Sequence, residues 1–218
     1  KNYSFYPDYV WGLKSMKNGS YYTQIDRKDN NSKLNKYSYR TGKRVSTIAN
    51  SEKLGIPVDN YTFSEDEEKL LFATETENIY RYSKRSIYYI YNIRSRRLIK
   101  LSDDKLMHVN FSPDGSRLAY VKDNNLYLMD LSNMQETQIT TDGVNNQVIN
   151  GATDWVYEEE FGLVRAFFWS PDGNKIAFYR FDESEVKKFS MDMFQRGLYP
   201  SQYKFRYPKA GEDNSKIS

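Results

Sequence analysis

Four short segments of this chain carry related turn sequences at nearly regular intervals. The clearest are Phe-Ser-Pro-Asp-Gly beginning at Phe111 and Trp-Ser-Pro-Asp-Gly beginning at Trp169. The turn positions are Gly19, Glu67, Gly115 and Gly173, which are 48, 48 and 58 residues apart. Proline fixes one backbone dihedral angle and glycine permits a positive φ, so this sequence makes a tight chain reversal. A chain with such a period is limited to a few repetitive folds.

The residues between successive turns alternate between apolar and polar, which is the pattern of β-strands and not of helices. In the third repeat this pattern predicts a four-stranded antiparallel meander over 111–140, with Pro113–Ser116 as its first turn. Four antiparallel strands in each period are the unit of a β-propeller blade. We therefore predict an all-β fold of about four propeller blades, and a β-sandwich with regular turns is the alternative. The predicted units cover residues 10–50, 58–101, 106–140 and 164–218.

Composition narrows the class of protein further. Aromatic residues make up 16% of the 218, including 20 tyrosines, whereas a disordered chain would be poor in them. No cysteine is present, which excludes disulfides and cysteine-ligated metal and favours a bacterial source. The net charge is only +3, so no nucleic-acid partner is indicated, and no apolar run reaches the length of a membrane helix. The single histidine, His108, is expected to be structural, because one histidine cannot build a metal site.

Three consecutive glutamates, Glu158, Glu159 and Glu160, lie in the longest interval of the repeat. A run of like charges is usually a solvated face of the protein. Aromatic residues flank this run on both sides, and burying them would draw the carboxylates away from water, where carboxylates need a cation. The run falls in a long predicted loop over 141–165, and a second long loop over 75–86 contains Arg81. Binding residues often lie on such long loops. Because the two loops lie in neighbouring predicted blades, we predict that they share one rim of the ring.

The residues around the acidic run resemble a known family. The matching segments are Asn-Gly at 150–151, Asp-Trp-Val-Tyr-Glu-Glu-Glu at 154–160, Trp-Ser-Pro-Asp-Gly at 169–173 and Tyr-Pro-Lys-Ala-Gly-Glu at 207–212. Their order and spacing resemble the N-terminal β-propeller of the dipeptidyl peptidase IV family, which are serine peptidases of the prolyl oligopeptidase type. The resemblance extends over 61–211, and the glutamate run in this setting is its most specific part.

The resemblance implies an eight-bladed propeller that caps a C-terminal α/β-hydrolase domain, in an enzyme that releases Xaa-Pro or Xaa-Ala dipeptides from peptides with a free N-terminus. It implies that Glu159 and Glu160 hold the substrate's N-terminal ammonium and that Arg81 holds a substrate carbonyl, with Arg85 as the rival position. Glu158 is expected to face its own protein, because three consecutive side chains cannot all point one way. The resemblance also implies that the parent protein is a homodimer and that it is periplasmic, secreted or part of the cell envelope. No cofactor or metal is expected.

The chain departs from the pattern of the whole enzyme. It contains about four predicted units and ends at Ser218, and no Gly-x-Ser-x-Gly elbow is present. A Ser-His-Asp triad cannot be built from it, so we expect the α/β-hydrolase domain to lie outside this chain and the chain alone to be inactive. A non-enzymatic periplasmic propeller that acts as a protein-interaction scaffold is the alternative function. A carbohydrate-binding propeller, suggested by the tyrosines, is a third.

Overall fold

A computed structural model describes residues 12–29, 31–58, 60–194 and 197–218 of the chain. Nearly all regular structure in these residues is β-strand, arranged in antiparallel sheets. The chain divides into two compact units. The first consists of Lys1–Phe63, Glu67–Thr74 and Tyr89–Lys100, and the second of Ser64–Asp66, Glu75–Tyr88 and Leu101–Ser218.

Two four-stranded sheets come first in the chain, and in each the strands pair in chain order. The first sheet contains β1 (Lys14–Ser15), β2 (Tyr21–Lys28), β3 (Asn31–Ser38) and β4 (Arg44–Asn50), followed by the single-turn helix α1 (Ser51–Leu54). The second contains β5 (Asn60–Phe63), β6 (Lys69–Asn78), β7 (Lys84–Asn92) and β8 (Leu98–Lys100). A core cluster of the first unit buries Leu34, Val58, Leu70 and Phe72 completely. This burial removes apolar side chains from water and stabilises the unit.

The third sheet confirms the predicted meander. Its strands are β9 (Met107–Phe111), β10 (Arg117–Lys122), β11 (Asn125–Asp130) and β12 (Gln135–Gln138), again in chain order and within the predicted unit 106–140. The turn between β9 and β10 has the expected chemistry. Gly115 adopts a φ of 68°, and Asp114 accepts hydrogen bonds from the Ser112 hydroxyl and from the Ser116 backbone N–H. The predicted class, all-β with four-stranded antiparallel blades, is thereby confirmed.

The last part of the chain is less regular. It contains β13 (Val148–Asn150), helix α2 (Trp155–Phe161), β14 (Phe167–Trp169), β15 (Ile176–Phe178), β16 (Arg180–Asp182), β17 (Lys188–Met193), β18 (Ser201–Arg206) and β19 (Lys216–Ile217). The region 164–218, predicted as one unit, therefore holds strands of three smaller sheets: β14 with β15, β17 with β18, and β13 with β16 and β19. Tyr179 separates β15 from β16. Its N–H donates to Ala166 on one side, and its carbonyl accepts from Gly151 on the other.

The segment between β13 and β14 forms a closed loop that carries α2. Ala152 and Arg165 pair as an isolated antiparallel bridge at its base, and the Thr153 hydroxyl donates to the carbonyl of Leu163 at 2.7 Å. Gly151 starts the loop with a φ of 76°, and a Cβ at this position would lie 3.1 Å from the Val121 side chain. Glycine is thus favoured here both by the left-handed backbone and by close packing. The acidic run, predicted to lie in an irregular loop, instead lies on a helix with a fixed base.

Candidate functional site

Helix α2 has a typical capping residue at each end. Asp154 is the N-cap, and its carboxylate accepts a hydrogen bond from the Tyr157 N–H at 2.9 Å. Gly162 is the C-cap, with a φ of 64° and its N–H donating to the carbonyl of Glu158. Seven residues are too few for a stable isolated helix, so tertiary contacts must hold it.

The aromatic residues of the acidic stretch supply those contacts. Trp155 packs against Tyr207 with ring centroids 4.5 Å apart, and Tyr157 meets Phe181 edge-on at 5.1 Å. These contacts hold both aromatic rings against residues far along the chain. Offset and edge-to-face aromatic pairs of this kind stabilise beyond their buried area. They fix Trp155 and Tyr157, and with them α2, against the rest of its unit.

Glu158 is buried and bonds to its own protein, as predicted. Its side chain is only 1% exposed, and Oε1 accepts the backbone N–H groups of Tyr82 at 2.6 Å and Ser83 at 2.9 Å. A buried carboxylate is stabilised when backbone N–H groups donate to its charged form. The two bonds join α2 to the segment Tyr80–Ser83, which lies between β6 and β7 and carries Arg81.

Arg81 and Glu159 form an ion pair above this junction. The Nε atom of Arg81 lies 2.7 Å from Oε2 of Glu159, and the two side chains are 65% and 16% exposed. The neighbouring carboxylate raises the pKa of Arg81 by hydrogen bonding and by its charge. Consecutive helical residues are rotated by about 100°, so Glu159 reaches this arginine while Glu158 points inward. The structure thus brings together two of the three residues that the resemblance selects.

Glu160, the third of these residues, is exposed at the end of α2. It has no hydrogen bond or ion pair to any residue in the part of the chain that the structure describes. Arg81, Glu159 and Glu160 together carry a net charge of −1. A site of that charge complements a ligand group with a single positive charge.

Arg85, the rival to Arg81, is engaged elsewhere. Its Nε donates to Glu77 at 2.8 Å, and Lys105 donates to the other oxygen of the same carboxylate at 2.5 Å. These two cations lower the pKa of Glu77. Arg85 on β7 therefore pairs with a carboxylate on the neighbouring strand β6. Arg81 is the arginine that contacts the acidic helix.

Two further titratable residues, Tyr80 and His108, are structural. Burial raises the pKa of Tyr80, whose ring packs at 6.1 Å from that of Phe205, so it stays a neutral phenol that anchors the Arg81 segment. Burial, with a contribution from the charge of Arg165, lowers the pKa of His108 to about 4, so this histidine is neutral at pH 7. Among the described residues, no group of three or more His, Cys, Asp or Glu side chains is placed to hold a metal ion.

The sequence contains a signal for α2, although a loop was predicted there. Asp154 and Gly162 bracket a seven-residue stretch with the residue types typical of an N-cap and a C-cap. The buried carboxylate of Glu183, which lies close to this site, carried no signal of its own.

Comparison with known proteins identifies the family. Residues 64–218 match the family described as the dipeptidyl peptidase IV (DPP IV) N-terminal region, so the chain belongs to that family. Among solved structures, dipeptidyl peptidase 4 of Porphyromonas gingivalis is 42% identical with a TM-score of 0.86, over 94% of this chain and 30% of that one. Pig dipeptidyl peptidase 4 is 34% identical over 76% of this chain and 22% of its own length.

A third relative is named as inactive. The rat protein called inactive dipeptidyl peptidase 10 is 29% identical over 89% of this chain and 25% of its own length. The chain spans about a quarter of the length of the curated relatives it matches. Within the described residues, the helices are too short and too polar to cross a lipid bilayer.

Proposed function

We propose that this chain is the substrate-recognition part of a serine-type dipeptidyl peptidase and that it binds the free N-terminal amine of a peptide. Glu159 and Glu160 hold the ammonium group, and Arg81 directs a remaining N–H toward the first carbonyl of the substrate. The parent enzyme releases N-terminal Xaa-Pro or Xaa-Ala dipeptides. This chain contributes recognition and gating, and none of the catalytic triad.

The observation that carries the proposal is the junction made by Glu158. By accepting two backbone N–H groups from Tyr82 and Ser83, it holds the acidic helix and the Arg81 segment in one fixed arrangement. A binding site gains affinity when its groups are already in place, because little entropy is then lost on binding. Because Glu158 is engaged in these two hydrogen bonds, Glu159 and Glu160 are the glutamates of the run that remain for the ligand.

The chemistry of the remaining groups suits an ammonium ion. An α-amino group has a pKa near 8 and is largely protonated at neutral pH. Its three N–H groups can donate charge-assisted hydrogen bonds to two carboxylates. Arg81 neutralises part of the charge of Glu159, and its guanidinium has five N–H donors, of which Nε–H bonds to that carboxylate. The pair with Arg81 keeps the carboxylate oriented until the ammonium arrives.

The remaining features of the parent protein follow the same proposal. We infer a C-terminal α/β-hydrolase domain in the same polypeptide as the partner of this propeller region, a homodimer of the parent, and a periplasmic or cell-envelope location. The propeller units at 10–50, 58–101, 106–140 and 164–218 remain a prediction. The second candidate function is a non-enzymatic interaction scaffold, which the similarity to a relative named as inactive favours.

Blocking the substrate amine tests the proposal. With the full-length protein, we expect kcat/KM for an Xaa-Pro chromogenic substrate with a free amine to exceed that for its N-acetylated form by at least about 100-fold, because acetylation removes a charge that is bonded in a partly buried site. An N-methylated amine, which keeps the charge, is the matched control and should lose much less. Equal rates for the free and acetylated substrates would contradict amine recognition, and no cleavage of any would favour the scaffold.

A further inference from the structure

A second buried carboxylate lies close to the N-terminus of α2. Glu183 follows β16 directly, and its residue is only 6% exposed. Its backbone is fixed on both sides, since its N–H donates to the carbonyl of Gln147 at 2.8 Å and its carbonyl accepts from Val186 at 3.1 Å. These two bonds fix the backbone from which the buried Glu183 side chain extends.

Glu183 forms no ion pair with any residue in the described ranges. Arg206, a cation whose charge acts on Glu183, directs its guanidinium to the backbone carbonyls of Asn146, at 2.8 Å, and of Val186. Asp154, the N-cap of α2, is also buried at 4% exposure, and its charge acts on Glu183. A buried carboxylate without a bonded cation and beside a second carboxylate is stabilised by taking up a proton.

Glu183 also acts on the other half of the site. Its charge and that of Glu158 both act on the phenol of Tyr80, the residue that precedes Arg81. Tyr80 in turn packs on Phe205, and so does Trp155 of α2, with ring centroids 6.1 Å apart in each pair. The Glu183 carboxyl group thus has the cap of the acidic helix and the anchor of the Arg81 segment as neighbours.

We propose that Glu183 is a positioning residue of the amine site, and that its protonated carboxyl group keeps α2 and the Tyr80–Ser83 segment in their binding arrangement. The expected effect of Glu183 on substrate binding rests on the proposed function, whereas its expected effect on the stability of the fold does not. When the proton is lost, a second negative charge appears beside Asp154 beneath a site that already holds three glutamates. Repulsion and hydration of that charge then loosen the cap of α2.

The electrostatic surroundings of Glu183 agree with this role. Burial is the largest cause that raises its pKa to about 7, and Asp154 is the next. The charged and titratable groups that face it are Asp154, Asp182, Arg206, Lys188 and Tyr80. The pKa in the folded protein lies above the ordinary value of 4.5, so the folded state binds this proton more tightly than the unfolded state does. The resulting stabilisation is complete below about pH 4.5 and is lost as the pH rises through about 7.

Replacing Glu183 with glutamine fixes the neutral form. In the full-length protein, we expect Glu183→Gln to raise the Tm by about 3 °C or more at pH 8 and to leave it unchanged at pH 5, because the wild type is already protonated there. In the wild type, we expect kcat/KM to fall as the pH rises through about 7, because Glu183 then loses its proton. The variant should not show this fall and should keep only the decrease near pH 8 that comes from deprotonation of the substrate amine. Glu185→Gln, an exposed neighbour in the same loop, should change neither profile.

Replacing Asp154 provides a second arm that is independent of the first. Asparagine caps helices about as well as aspartate, so Asp154→Asn keeps the bond to Tyr157 while removing the charge beside Glu183. In this background, we expect the Tm gain from Glu183→Gln at pH 8 to become smaller but to persist, since the repulsion from Asp154 is gone while burial, the larger cause, remains.

The outcomes separate this proposal from the proposed function. Equal effects of Glu183→Gln on Tm at pH 5 and pH 8 would overturn the protonated positioning role, whatever the substrate assays show. A Tm effect confined to pH 8 with an unchanged pH profile of kcat/KM would overturn its link to the amine site. If N-acetylation of the substrate were without effect, the proposed function would fail, and the Tm measurements would still report on the proton of Glu183.

Discussion

Replacing Glu159 or Glu160 with glutamine in the full-length enzyme is expected to lower kcat/KM for a free-amine Xaa-Pro substrate by about 30- to 1000-fold. This corresponds to about 2–4 kcal/mol, the usual cost of truncating one partner of a desolvated charge pair. Either change takes the site made with Arg81 from a net charge of −1 to zero. Glutamine keeps the shape and one acceptor oxygen, so the loss reports on the charge.

The effect on rate has a positional origin. With the ammonium held at one end and the nucleophile fixed in another domain, only a dipeptide fits between the amine and the scissile bond. Binding energy used far from the reacting atoms then appears in the rate through correct positioning. Steady-state kinetics over a free-amine and an N-acetylated substrate measure this, with Glu185→Gln as an exposed control. Wild-type kcat/KM in both Glu159→Gln and Glu160→Gln would contradict the assignment of these residues to the substrate amine. An equal loss on acetylated peptides would indicate that the substitution disturbs the fold and not the binding of the amine.

Replacing Glu158 with alanine is expected to cost about 3 kcal/mol of folding free energy. Both of its hydrogen bonds end on Oε1, and alanine leaves the partly buried N–H group of Tyr82 and the buried N–H group of Ser83 without an acceptor. Each unsatisfied buried donor costs about 1–3 kcal/mol. The Arg81 segment should then open, and kcat/KM should fall with it.

Glu158→Gln is the matched variant for this test. Its side-chain carbonyl can occupy the place of Oε1 and accept both N–H groups, so its cost should be much smaller than that of alanine. Amide hydrogen exchange at Tyr82 and Ser83 measures the opening locally, alongside thermal unfolding. Equal destabilisation by the two substitutions, or protected amides in Glu158→Ala, would contradict the role of Glu158 as a junction.

The regular part of the fold was predictable because its signals are local. Proline and glycine determine the turn after Ser112, and alternation determines the strands on either side, so the third sheet was predicted nearly to its ends. Helix α2 was missed because seven residues complete only two turns, too short for a periodic pattern to stand out. Its stability comes from Trp155 and Tyr157 packing on residues far along the chain.

The site was predictable only in part for the same physical reason. The inward orientation of Glu158 follows from the geometry of consecutive side chains, whereas its two backbone donors depend on how the chain folds. The separate partners of Arg81 and Arg85 were likewise decided by tertiary structure. Glu183 resembles any other surface glutamate in the sequence, and only its burial beside Asp154 sets it apart.

The most direct test of amine recognition is a structure of the full-length protein with a slowly cleaved Xaa-Pro dipeptide mimic that has a free N-terminus. We expect the ligand nitrogen to lie within about 2.7–3.0 Å of carboxylate oxygens of both Glu159 and Glu160, the normal range for charge-assisted hydrogen bonds. Arg81 should contact the first carbonyl while Glu158 keeps its bonds to Tyr82 and Ser83. A ligand nitrogen bound by other groups, with both glutamates left in solvent, would contradict the account.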